Sequence, residues 1–208
     1  MFHNSPCLSG HIFKLMLAVL ILLALAPTRA RAHEFVVSLR AVGADRDQIL
    51  ADALRGFLLA TTERDAHANE QSNGHLGGLD VYIVPQPESM ASRFPELKSA
   101  PTGQPDIIAI IGGAQDMSAE VEGISSDAAV LRPGLLLDGN RWAGDEGQTP
   151  TNFAARYVAT YGQPASQWAA RGYNAARRID AAVRPLGGVD DPSALESAFA
   201  DSAAGIRW

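Results

Sequence analysis

Apolar residues come in short blocks, and the spacing within each block predicts its element. Phe35 to Val42 is apolar and β-branched over a short span, which predicts a buried strand. Gly43-Ala44-Asp45 breaks it. Asp45 is placed to cap a helix, with Gln48 three residues on as its capping-box partner. Ile49/Leu50, Ala53/Leu54 and Phe57/Leu58 then recur every four residues, giving one apolar helical face that ends near Glu63-Arg64-Asp65. A polar loop, His67 to Gly78, leads to a second strand, Leu79 to Val84, stopped by Pro85 and Pro87. Met90 to Leu97 predicts a short helix. Ile107 to Ile111 is continuously apolar, as in a strand buried on both faces.

The second half continues the alternation. Ser118 to Val130 reads as a weak helix rich in small residues, and Leu135 to Leu137 as a fourth strand. Thr151 is placed to cap a helix carrying Phe153, Tyr157 and Val158, ended by Gly162 and Pro164. Ala165 to Val183 is a long helix with Trp168, Gly172, Tyr173, Ala176, Ile179 and Val183 on one face, ended by Pro185 and Gly187-Gly188. Asp191-Pro192-Ser193 opens a last helix with Leu195 and Phe199. Strands alternating with helices predict an α/β fold with a mostly parallel sheet. Ligands of such folds gather at the carboxyl ends of the strands, here the loops at 43–47, 112–118 and 138–142.

Upstream of these elements, Lys14 precedes the unbroken apolar run Leu15 to Ala26, followed by Ala30-Arg31-Ala32. Twelve residues fall short of the ~20 that a bilayer-spanning helix needs. The pattern is that of a secretory signal with an A-x-A cleavage site. Residues 1–32 are therefore expected to be a signal peptide and residues 33–208 a single exported domain, periplasmic and without a membrane span. Lys14, Arg29 and Arg31 lie before the cut, so the mature chain is more acidic than the −6 of the whole. That balance argues against a nucleic-acid partner. The one cysteine, Cys7, lies before the cut as well, leaving a mature chain without disulfides.

Candidate chemistry is sparse. Gly112-Gly113 and the helix expected from Ser118 offer backbone amides to an anion. The loop is neither a Walker loop nor a dinucleotide fingerprint. With no G-x-S-x-G elbow and no mature cysteine, no catalytic residue, and no enzyme, is expected. After cleavage His33 is the new N-terminus, whose amine and imidazole suit copper. His67 and His75 share a loop with Glu70 and Asp80 near by, but without ligand spacing they read as solvated or capping histidines, so no metal site and no cofactor is expected. Asp138, Asp145 and Glu146 around Trp142 read as a solvated loop, and Arg177-Arg178 as a surface pair on a helix.

Several stretches resemble the type I periplasmic substrate-binding proteins of ABC importers, the branched-chain amino-acid receptor family. They are Ala53-Leu54-Arg55-Gly56-Phe57 with Ala60 and Glu63, Gly77-Gly78-Leu79-Asp80-Val81, and Ile107 to Gly113. Further on come Phe153-Ala154-Ala155-Arg156-Tyr157, Tyr161-Gly162-Gln163-Pro164-Ala165, Ala170-Arg171-Gly172-Tyr173-Asn174-Ala175, and Gly187-Gly188-Val189-Asp190-Asp191-Pro192-Ser193-Ala194-Leu195. The resemblance implies a three-layer parallel-sheet lobe that binds a small molecule, an amino acid for this family, and serves an importer or a partner binding protein. Family members have two lobes, yet only 40 positions separate Gly113 from Phe153, so one lobe is expected. By the same resemblance, Gly43, Ala44, Asp45, Gln115, Asp116 and Ser118 are the ligand-binding positions. Asp45 and Asp116 would meet an ammonium group, and amides near Ser118 a carboxylate. Two other readings stay open: an interaction module that docks a partner protein through the open cleft face, and a copper-handling protein using His33.

Overall fold

The structure is a computed structural model that describes residues 34–63, 69–101, 104–113, 127–132 and 153–202. The chain divides into two units, Met1–Arg31 and Ala32–Trp208, and the architecture below is that of the second. It is α/β, built on a mixed sheet of five strands: β1 (Glu34–Ala41), β2 (His75–Leu76), β3 (Leu79–Gln86), β4 (Ile107–Ile111) and β5 (Ala129–Leu131). Their spatial order is β2-β3-β1-β4-β5. The pairs β3–β1, β1–β4 and β4–β5 are parallel, while β2 pairs antiparallel with β3.

The period of two in β1 divides its side chains between the sheet faces. Phe35, Val37, Leu39 and Ala41 join Val81, Ile83, Ile107, Ala109 and Ile111 in the main core. Against this face lie α1 (Arg46–Thr61), α3 (Gln167–Leu186) and α4 (Pro192–Asp201), and the aromatic residues of α2 (Phe153–Tyr161) join the same cluster. Ile108, Ile110, Val42 and Ala128 form a smaller cluster on the opposite face, to which no described α-helix contributes. The described residues thus give one helical layer on one face of the sheet.

Two glycines let α1 and α3 touch backbone to backbone. A Cβ on Gly56 would sit 1.8 Å from the Ala169 carbonyl oxygen, and one on Gly172 would sit 2.0 Å from that of Ala53. The α3 N-cap strengthens the junction: Ser166 Oγ accepts from Ala169 N at 3.2 Å and donates to Asp52 Oδ2 of α1 at 2.8 Å. At the other end Gly187 takes φ +67°, and its N–H reaches the Val183 carbonyl at 2.8 Å. Asp191 caps α4 through Ala194 N at 3.0 Å.

Four sequence expectations are corrected. Asp45 makes no side-chain cap, and Gln48 Nε2 donates to Asp52 Oδ1 instead, so the capping box does not form. Pro85 does not stop β3, which continues to Gln86 with Pro85 opposite Leu39. Pro185 likewise sits inside the last turn of α3. Ala129 and Val130 belong to a strand rather than to a helix over Ser118–Val130, because β4 offers them a parallel partner edge. The strand expected at Leu135–Leu137, the cap at Thr151, the cleavage site and the acidic loop around Trp142 lie outside the described residues. No described helix is long and apolar enough to cross a membrane.

Candidate functional site

β1 connects through α1 to β3 on one side of the sheet, whereas β4 and β5 lie on the other. The chain therefore reverses direction between β1 and β4, and the crevice at their carboxyl ends is the place where open α/β sheets hold ligands. Val42 N donates to Ile111 O at 2.9 Å and keeps the two strand ends together. Gly43 follows with φ +121°, and a Cβ on Gly112 would lie 2.1 Å from Val42 Cγ2, so both glycines are required by the backbone. Ala44 and Asp45 are exposed in the turn after β1. The structure brings Gly43–Asp45 beside Gly112–Gly113, while Gln115, Asp116 and Ser118 lie outside the described residues.

What the sequence reading missed at this edge is its charge. Arg171 Nη1 donates to the Gly112 carbonyl, its guanidinium lies 4.8 Å from the Trp168 ring centroid, and its buried Nε has no hydrogen-bond partner. Arg178 is only 3% exposed and donates to Arg132 O, Phe199 O and Ser202 Oγ, all neutral oxygens. Burial pushes its guanidinium below the ordinary value. Arg132, Arg171, Asn174 and Arg178 line a cavity of about 20 Å³ against Ile111 and Leu131 at the ends of β4 and β5. That is room for one ordered water or the tip of a polar group. Arg40, near the end of β1, also has a buried Nε without a partner. None of these four arginines has an ion pair among the described residues.

The surface reading of Arg177-Arg178 is therefore wrong: Arg177 is 5% exposed and Arg178 3%. A signal was present, since 171, 174 and 178 are spaced to form one polar stripe along α3.

The opposite end of the sheet carries acids. Glu63 accepts from Arg177 Nη1 at 3.0 Å, from Tyr173 Oη at 2.8 Å and from Arg156 Nη1. Burial, and then the Glu63 charge, push the Tyr173 phenol up. An open groove of about 660 Å³ lies near by, bordered by Glu70, Asn73, Glu96, Lys98, Arg156 and Tyr161. His75 is neither solvated nor capping. It is 8% exposed, with Nε2 at 2.8 Å from Asp80 Oδ1 and Nδ1 at 3.4 Å from Glu70 Oε2. His33 and His67 lie outside the described residues.

Comparison with protein families, with curated proteins and with solved structures finds no match for the chain.

Proposed function

We propose that the chain is a non-enzymatic binding protein whose carboxyl sheet edge holds the carboxylate of a small molecule, an amino acid being the best fit. The reading rests on Arg132, Arg171 and Arg178 around the cavity at that edge; the described hydrogen-bond acceptors of Arg171 and Arg178 are carbonyl and hydroxyl oxygens. Positive charge without a counter-ion among the described residues draws an anion, and a guanidinium fork matches a carboxylate. The cavity takes only the tip of the ligand, so the remainder lies over Gly43–Asp45 and Gly112–Gly113. There the exposed Asp45 carboxylate, unused as a cap, can face an ammonium group. A zwitterion has both charges.

The parallel strand order agrees with this reading, as does the resemblance to type I periplasmic binding proteins. On the same proposal the full domain is a three-layer lobe of that class. It is exported to the periplasm and delivers its ligand to an importer or to a partner binding protein. A site open on one side buries less of its ligand than a closed two-lobed cleft, so weak binding is expected.

Isothermal calorimetry against a panel of amino acids and simple carboxylates tests the reading. Wild-type protein is expected to bind at least one member with a Kd between micromolar and millimolar. Arg171→Gln is expected to weaken that binding tenfold or more, about 1.4 kcal/mol, with little change in melting temperature. Absence of binding at millimolar ligand would replace this function with the docking of a partner protein.

A further inference from the structure

We propose that Glu70, His75 and Asp80 form a binding site for a divalent transition-metal ion, with zinc as the ion to try first. One ring nitrogen and one oxygen from each carboxylate lie within 4.8 Å of one another. Zinc bonds to imidazole and carboxylate at ~2.0–2.2 Å, which sets tetrahedral ligand spacings near 3.4 Å. An ion takes one ring nitrogen: at Nδ1 the 3.4 Å to Glu70 Oε2 already meets that spacing, whereas Asp80 Oδ1 lies 2.8 Å from the other nitrogen, Nε2, and has to swing away from it. The movement still required falls on Asp80, whose side chain is 39% exposed and therefore has room to turn. That exposed side also admits the water that would complete the coordination shell.

The ligands stand on backbone held from several directions. His75 and Asp80 are directly opposed in the β2–β3 ladder. Asn73 N donates to Val81 O at 2.8 Å, Val81 N to Gly74 O at 2.9 Å, and Ile83 N to Asn73 Oδ1 at 3.0 Å, so the loop carrying Glu70 is tied to β3. Ser72 Oγ lies 2.6 Å from Glu70 Oε1 and 3.4 Å from Asp80 Oδ1, drawing the two carboxylates toward one point. Gly77 N, in the turn between β2 and β3, donates to the buried Asp180 Oδ1 at 2.7 Å and anchors the hairpin on α3. Little has to be reorganised when an ion arrives.

The donor set selects the class of ion. One imidazole and two carboxylates suit a borderline ion such as zinc. Calcium takes six to eight oxygens, and soft copper(I) prefers sulfur. Proton and metal compete for the ring, so metal affinity is expected to fall with decreasing pH. The site is at the opposite end of the sheet from the arginines and stands or falls independently of the ligand reading.

Full-length protein treated with chelator and then titrated with zinc by calorimetry is expected to bind one ion per chain with micromolar or tighter Kd. The affinity should weaken by tenfold or more from pH 7.5 to 5.5, and zinc should raise the melting temperature. Glu70→Gln and Asp80→Asn are each expected to weaken binding at least tenfold while leaving the circular dichroism spectrum intact. His33→Ala is expected to leave it unchanged. Cobalt(II) in place of zinc is expected to give visible d–d absorption that Asp80→Asn abolishes. Failure to bind at zinc up to about 0.1 mM, or an affinity indifferent to both carboxylate substitutions, overturns the proposal.

Discussion

Arg177 and Arg178 are neighbours on α3, both almost fully buried, and they satisfy their charge in opposite ways. Arg177 meets a carboxylate, Glu63, itself only 7% exposed, which also takes Arg156 and the Tyr173 hydroxyl. Arg178 meets the carbonyls of Arg132 and Phe199 and the Ser202 hydroxyl. About 100° of helical rotation separates the two side chains. It directs one toward the α1 C-terminus and the other toward the ends of β4 and β5. The first arrangement pairs its charge with a carboxylate inside the protein. The second has only neutral oxygens as its partners among the described residues, and on the proposed function it is the one that exchanges a neutral partner for an anion. Burial of an arginine therefore says nothing about function until its acceptors are known.

The largest effect is expected from Glu63→Gln. It leaves Arg177 buried against a neutral amide and should cost about 3–5 kcal/mol of unfolding free energy, as losing one partner of a buried ion pair does. Arg178→Met should cost less, about 1–3 kcal/mol for the carbonyls it abandons, but should abolish carboxylate binding. Chemical denaturation and calorimetry on both variants break the comparison if Glu63→Gln loses ligand affinity while Arg178→Met keeps it.

Next in size is Gly172→Ala. The new methyl group would overlap the Ala53 carbonyl, so α1 and α3 must separate, at about 1–3 kcal/mol by the usual cost of overpacking. Because Glu63 follows α1 and Arg177 is on α3, the substitution should sharpen the contrast: it strains the ion pair and spares the Arg178 acceptors. A thermodynamic cycle of Gly172→Ala with Glu63→Gln is expected to be non-additive, and the cycle with Arg178→Met additive.

The smallest effect concerns Asp106, an acidic counterpart of Arg178. Its Oδ2 accepts from Val36 N at 2.8 Å, and it has no ion pair among the described residues. Burial raises its carboxyl above the ordinary value, with the Val36 amide working against the rise. The folded state therefore binds this proton more tightly than the unfolded chain does. Stability from this group is present at low pH and falls as pH climbs from the ordinary aspartate value through the raised one. Asp106→Asn keeps an acceptor for Val36 N and removes the titration. Wild type should equal or exceed the variant in strongly acid solution and lose ground to it as pH rises into the neutral range, by under about 1 kcal/mol after solvent screening.

Most of the elements were legible from local pattern. The apolar face of α1, the fully buried β4, the Asp191 cap and the glycine end of α3 each depend on residues within a few positions of one another. The misses share a cause. Pro85 and Pro185 were read as breaks because a proline lacks an N–H, but its effect depends on whether that position needed a donor, which the register decides. Ala129 and Val130 became a strand because β4 lay beside them. The loops at Gly43–Asp45 and Gly112–Gly113 lie side by side as expected, since parallel strands send their carboxyl ends to one edge.

By itself, then, the sequence determined the α/β class, most helix and strand positions, and the carboxyl edge as the place to look, because propensity, capping and hydrophobic period are short-range properties. Only the tertiary structure decided which charges are neutralised. Arg177 and Glu63 are 114 positions apart, and Arg178 and the Arg132 carbonyl 46. His75 and Asp80 are close in sequence, yet they meet only because a two-residue strand turns back on β3. Charges interact through space over a few ångströms, and no local pattern encodes which distant segment will supply the partner.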